Sequence, residues 1–281
     1  MNDSVFRAIK NNTVRDLYWL VFSDSPLKDE YDLKPFDQFP KSILKEWKQQ
    51  CADYFNHLDD RPNDLILFTN RKKNKRLGFY AESLLSYFFQ TFEPIELLLQ
   101  NYQIIENKRT VGELDFIIRY KGKVIHLECA VKYYLLRHST QINSAKYWVG
   151  PRLRDNLDLK LNKIIHQQLP LGRRKEVFEK INVEIDDSYL FLKGIFFIED
   201  VSLGGGEIAR SPNTYIRQSD LHNINTTPIQ LLQKPFWLSS TVTEIRDPSD
   251  SLQLKEPLSE PKLFLFDDGI SRFIVPNDWK E

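Results

Sequence analysis

Two acids in one short stretch carry the clearest chemistry of this 281-residue chain. Gly112-Glu113-Leu114-Asp115-Phe116-Ile117-Ile118-Arg119 is followed by Lys121-Gly122, then by Lys123-Val124-Ile125-His126-Leu127-Glu128-Cys129-Ala130-Val131-Lys132. Apolar and β-branched residues fill both halves and an X-Gly pair separates them, which predicts a hairpin with a two-residue loop. That loop pairs Tyr120 with Lys123 and, further along, Asp115 with Glu128. Directly opposed residues share a face, with Cβ atoms roughly 4.5–5.5 Å apart. Two carboxylates so placed repel each other, and the natural compensator is a divalent cation, which takes carboxylate oxygens as ligands. Alternation then sets Glu113, Asp115, Ile117, His126, Glu128, Ala130 and Lys132 on one face. Leu114, Phe116, Ile118, Leu127, Cys129 and Val131 take the other, toward a core. A three-residue loop with a bulge would move the register and separate the acids. The competing reading is an ordinary solvated sheet face.

The elements that must position this hairpin follow from periodicity. Residues 4–22 and 41–57 read as helices, the second with Ile43, Trp47, Cys51 and Phe55 recurring every four residues. Leu65 to Phe68 is apolar and fits either helix or strand. The basic run Arg71-Lys72-Lys73-Asn74-Lys75-Arg76 precedes a helix expected over 77–90, and residues 94–100 are expected to add further helical turns. Tyr102 to Glu106 reads as a strand, residues 137–154 as irregular, and 155–169 as a helix ended by Pro170. Leu190 to Ile198 reads as a buried strand, and Gly204-Gly205-Gly206 as a loop. Short strands are expected at Leu263 to Phe266 and Ile270 to Val275. The chain thus divides into an N-terminal helical region (1–76), a core (77–198) and a mixed extension (199–281) that is not expected to fold alone.

Composition bounds the rest. Apolar residues make up 41% and aromatics 13%, enough for a sizeable core. The formal net charge is zero, so the basic footprint usual for nucleic-acid binding would have to be local. Cys51 and Cys129 have no zinc spacing and read as buried thiols, which fits a reducing compartment and a cytoplasmic location. No apolar run approaches a membrane span, so no membrane partner is expected.

The order α–β–β–β–α–β, with acids on the second and third strands, resembles the PD-(D/E)XK nuclease superfamily. The matching core covers 77–198. The resemblance implies an α/β (α+β) fold of restriction-endonuclease-like type, with a mixed central sheet flanked by helices. It places Asp115 and Glu128 at the superfamily's metal-binding acids and Lys132 at its lysine. Gly78-Phe79-Tyr80-Ala81-Glu82 looks like the stretch of the RecB-like branch whose acid completes the metal shell. Lys160, Lys163, His166 and Gln167 lie where the second helix contributes polar groups. The first motif reads Glu113-Leu114-Asp115 where the superfamily carries Pro-Asp. The superfamily sets its Glu and Lys two residues apart, but Ala130 stands there. Lys132 lies one pleat further on, roughly 6–7 Å along the strand, so Lys160 or Lys163 could take its role. The whole chain also resembles an uncharacterised bacterial family known only as a domain of unknown function.

The implied chemistry is phosphodiester hydrolysis with Mg2+ (or Mn2+) on Glu82, Asp115 and Glu128 and DNA or RNA as partner. Lys160, Lys163, His166, Gln167, Arg71 and Lys72 are the substrate-binding candidates. Glu113 reads as a surface acid, with an extra metal ligand as the alternative, and His126 as a packing residue. Tyr133, Tyr134, Tyr147 and Trp148 read mainly as core. The alternative is a catalytically inactive nuclease-fold protein that binds nucleic acid or a protein partner. A glycosidase would leave the lysine without a task.

Overall fold

The structure, a computed structural model, describes residues 3–27, 31–71, 76–200, 213–235, 237–239 and 256–279. The glycine run at 204–206 lies outside them. Ten strands in mixed parallel and antiparallel pairing, flanked by helices, place the described residues in the α+β class. They form two compact units, Met1–Val131 with Lys160–Lys193, and Lys132–Leu159 with Gly194–Glu281.

The first unit opens with helices α1 (Ser4–Ala8), α2 (Asn12–Phe22), α3 (Lys41–Gln50), α4 (Ala52–Asp60) and α5 (Asn63–Asn70), and a short strand β1 (Asp37–Gln38). The expected helix over 4–22 breaks at Asn11. Its side chain accepts the amides of Thr13 and Val14, an N-cap that starts a new helix. The second expected helix breaks at Cys51. Helix α6 (Leu77–Thr91) then lies in an aromatic core, with Phe89 against Phe116 at 5.1 Å and Trp47 at 6.2 Å between ring centroids.

Strands β2 (Ile95–Glu106), β3 (Arg109–Tyr120) and β4 (Lys123–Leu136) follow as an antiparallel meander. The helical turns expected at 94–100 are therefore strand. Ile95 pairs with Tyr120 and the ladder continues to Glu106 with Arg109, so cross-strand pairing overrides local propensity. Two hairpin loops make this possible. Asn107 and Lys108 both have positive φ, as do Lys121 and Gly122, the geometry that matches strand twist. The loop at Lys121-Gly122 is the expected two-residue loop, and Tyr120 pairs with Lys123.

Helix α7 (Leu157–Lys163) runs into a π-helical turn, Ile164–Gln168, and a 3-10 turn, Leu169–Arg173. Pro170 sits in the first turn of the latter, where a missing amide leaves no bond unmade, so the chain changes helix type at this point. A further helix, α8 (Lys175–Ile181), was not expected from periodicity. Leu171 and Val177 pack with Ile104, Leu114, Ile117 and Val124, so β3 is covered on both faces. Strand β6 (Asp187–Glu199) pairs in parallel with β1. Lys193 is buried and donates to the carbonyls of Val21, at 3.0 Å, and Ser23, capping the end of α2. Burial pushes this amine down to about 7.

The second unit carries the ends of β4 and β6 with β5 (Trp148–Val149), β7 (Thr214–Arg217), β8 (Pro228–Leu232), β9 (Lys262–Phe266) and β10 (Ser271–Val275). β7 runs parallel to β6 and β10; β9 is antiparallel to β10 and β8. The Tyr133 hydroxyl donates to the Trp237 carbonyl and that of Tyr215 to Leu136, each at 2.8 Å, so this unit is tied across distant sequence. Gly194 has φ +128°, and a Cβ there would lie 1.8 Å from the Lys132 carbonyl oxygen. Gly194→Ala is therefore expected to destabilise the protein by about 3 kcal/mol or more. Urea unfolding measures this, and a loss below about 1 kcal/mol would contradict the packing described.

Candidate active site

The β3–β4 ladder is regular from Tyr120 and Lys123 to Phe116 and Leu127. Beyond that point Asp115 turns its carboxylate into the gap. Its Oδ2 accepts the Cys129 amide at 2.8 Å, a side-chain bond in place of the next backbone bond. The ladder thus opens where the two acids stand. Glu128 is 1% exposed and His126 0%, so the β4 part of this face is interior, whereas Glu113 and Asp115 on β3 are part-buried.

Each oxygen of Glu128 is held. His126 Nε2 lies 3.0 Å from Oε1, and Gln168 Nε2 donates to Oε2 at 2.6 Å. Gln168 Oε1 in turn accepts from Lys160 Nζ at 3.2 Å. Burial pushes His126 down to about 4, against the pull of the Asp115 charge and the Leu169 carbonyl. The imidazole is neutral at pH 7, so its contact with Glu128 is a hydrogen bond and not an ion pair. Gly172 makes this arrangement fit, since a Cβ there would stand 2.7 Å from His126 Nδ1.

Both acids are displaced upward. Burial first, and then the Glu128 charge, raise Asp115 to about 7; the Cys129 amide, Lys160 and His126 act the other way. Burial raises Glu128 to about 8, opposed by Lys160, the Asp115 amide and Lys163, and reinforced by Glu113. Lys160 is thus the cation that acts on both acids. Burial, with the charges of Asp115, Glu128 and Glu82, also lifts the Cys129 thiol well above its ordinary range.

Asp115 also lines a cavity of about 350 Å³ with Glu82, Arg76, Phe79 and Cys129. Glu82 Oε1 accepts from Asn101 Nδ2 at 2.6 Å. Asn101 lies within β2 at φ +50°, a left-handed conformation that asparagine tolerates better than most residues. Its position falls between the pairs Tyr102–Leu114 and Gln100–Phe116, level with Asp115.

The other expected residues are distributed as follows. Lys132 belongs to the second unit, where its Nζ pairs with Asp155 Oδ2 at 2.5 Å and lies over the Tyr134 ring. Lys163, His166 and Gln167 are exposed. Lys163 still acts electrostatically on Glu128, whereas Gln168 takes the contact that an unbroken α-helix would give Gln167. The π turn widens the helix by one residue, so position 168 and not 167 follows Lys160 around to the same side. Arg71 is exposed, with its guanidinium over Phe68; Lys72 lies outside the described residues. Glu113 Oε2 accepts from Gln103 at 3.4 Å. Cys51 is buried, whereas Cys129 is half-buried on the cavity wall. Gln168 and Asn101 were missed from sequence. A polar pair at 167–168 was the only signal for the first, and the second depends on a backbone conformation that periodicity does not reveal.

The raised acids fix the sign of a pH effect. Between pH about 4 and pH about 8 the folded chain keeps protons on Asp115 and Glu128 that the unfolded chain has released. Stability from these groups is fully present below the ordinary carboxyl range and is lost as pH climbs through the folded values. Each group contributes at most about 1.4 kcal/mol per pH unit. Asp115→Asn and Glu128→Gln should each flatten this fall and should gain most, relative to wild type, near pH 8. Denaturant midpoints from pH 5 to pH 8 test it; parallel wild-type and variant curves would contradict the raised values.

Among the described residues, no group of three or more His, Cys, Asp or Glu side chains gathers closely enough to hold a metal ion by itself. Nor is any helix of the described residues long and apolar enough to cross a membrane. No curated protein and no solved structure shows significant similarity to the chain. A family model described as domain of unknown function DUF1853 matches residues 15–262, which includes every acid of the site. The chain therefore belongs to the DUF1853 family.

Proposed function

We propose that this protein is an Mg2+-dependent nuclease of PD-(D/E)XK type, hydrolysing phosphodiester bonds of DNA or RNA. The observation that carries the reading is the pairing of a buried carboxylate, Glu128, with a part-buried one, Asp115, at the opened end of the β3–β4 ladder, both raised toward neutrality, with Lys160 acting on both. Buried acids in that state lack a compensating positive charge. The donor set fits a hard cation. Mg2+ is commonly held by one or two carboxylates with water and substrate phosphate completing its shell, so a protein cluster of three is not required.

Asp115 and Glu128 would hold the cation, with Glu82, fixed by Asn101, on the wall of the cavity that Asp115 lines. When bound, a divalent cation supplies charge neutralisation on the phosphate and a more acidic water. His126 and Gln168 orient Glu128 from both sides, so the acid is set before substrate arrives. Lys160 is positioned through Gln168 and offsets the negative charge that develops on the phosphate. Lys132, engaged by Asp155, is not needed for that role.

The second reading, a nuclease fold that binds without cleaving, draws on one observation. Both Glu128 oxygens already accept hydrogen bonds within the protein. Each carboxylate oxygen has two lone pairs, so those bonds leave room for a ligand contact. Calorimetric Mn2+ titration separates the readings. Wild type is expected to bind while folded Asp115→Asn and Glu128→Gln do not, and Mg2+-dependent cleavage of single- and double-stranded DNA and RNA should follow. Lys160→Met should lower kcat about a hundredfold or more with Mn2+ binding retained. Absence of Mn2+ binding at millimolar concentration would favour the binding-only reading.

A further inference from the structure

The cavity beside Asp115 has a composition that selects among nucleic-acid substrates. Arg76, Phe79 and Glu82 stand three residues apart at the start of α6, a spacing that sets them on one side of a helix, and all three line the cavity. Phe79 is 37% exposed, so part of its ring surface is open at the cavity. Leu85, Phe116 and Val131 make the remaining wall largely apolar. A small, mostly apolar cavity with a few convergent polar groups is the ordinary form of a site for one small ligand. At about 350 Å³ it lies at the lower end of such sites, which leaves room inside it for a single monomer. A base inside a duplex has its faces covered by its neighbours, so only an unstacked base can lie against a side-chain ring.

We infer that this cavity takes one unpaired nucleotide of a single-stranded nucleic acid. The base lies against Phe79 and the adjoining phosphate faces Arg76, which places the phosphodiester toward Asp115. The inference rests on the nuclease reading, whose substrate class it names. Guanidinium donors suit phosphate oxygens, and base stacking on an aromatic ring is indifferent to sequence. Cleavage without strong sequence preference, in strands whose bases are free, is the consequence.

Fluorescence anisotropy on the full-length protein, with Ca2+ present, tests it with a labelled oligothymidylate and a duplex of equal length as probes. Wild type is expected to bind the single strand at least about tenfold more tightly than the duplex. Phe79→Ala should weaken single-strand binding by about tenfold, and Phe79→Trp, which keeps a ring, should bind like wild type. Arg76→Ala should weaken binding and reduce its salt dependence. Equal or tighter binding of the duplex, no binding of the single strand, or Phe79→Ala binding like wild type would each overturn the inference. Mn2+ titration of the same proteins keeps the two failures apart. If Mn2+ binding is intact and the single-strand preference is absent, the substrate class alone is wrong. If single-strand binding depends on Phe79 but Mn2+ does not bind, the substrate class stands and the nuclease reading fails.

Discussion

Placing a buried carboxylate, Glu128, beside a part-buried one, Asp115, is the constraint around which this site is arranged. Asp115 and Glu128 enter from adjacent strands at the point where the β3–β4 ladder stops, and Asp115 replaces a backbone acceptor with its own side chain. Burial pushes both acids toward neutral pH, reinforced by the Glu128 charge at Asp115 and by the Glu113 charge at Glu128. An isolated buried carboxylate is strongly disfavoured, so the surroundings must supply donors. A strand histidine, a helix glutamine and a lysine do so, in the order His126, Glu128, Gln168, Lys160.

That chain of contacts explains local features that would otherwise be irregularities. The π turn Ile164–Gln168 brings Gln168 to Glu128 while Lys160 stays on the same side of the helix. The 3-10 turn after it carries Gly172, whose missing side chain lets the backbone pass the His126 ring. Asn101 adopts a left-handed conformation inside β2 and holds Glu82. Irregular backbone of this kind tends to collect at functional sites because the surrounding structure must hold it in place.

Much of this was legible in the sequence. The two-residue loop at Lys121-Gly122 fixed the register from Tyr120–Lys123 to Phe116–Leu127, because period-two alternation leaves little freedom once a turn is set. The expected pairing of Asp115 with Glu128 is not part of that ladder, which ends one position short of it. The helix over 77–90 was clear from its dense apolar pattern. Ile95 to Gln100 was not, since an apolar run of that length fits helix or strand until a partner strand decides. Gln168 was missed because helical spacing assumes 3.6 residues per turn, and a π turn breaks that assumption. His126 reads as a packing residue in the sequence; it is buried, but it also holds the acid. The strand position of Lys132 points to the acids, whereas its amine pairs with Asp155, a partner no spacing rule names.

The most direct test of the central claim is the number of protons released when Mn2+ binds, obtained by calorimetry at pH 7 in buffers of different ionisation enthalpy. At that pH a carboxyl raised to about 7 is half protonated and one raised to about 8 mostly protonated. A cation held between them must displace those protons. Release of about one proton or more per ion, diminished in Asp115→Asn and in Glu128→Gln, is the predicted result. Binding with no proton release, or release unchanged by either substitution, would contradict the assignment of these two acids as the site.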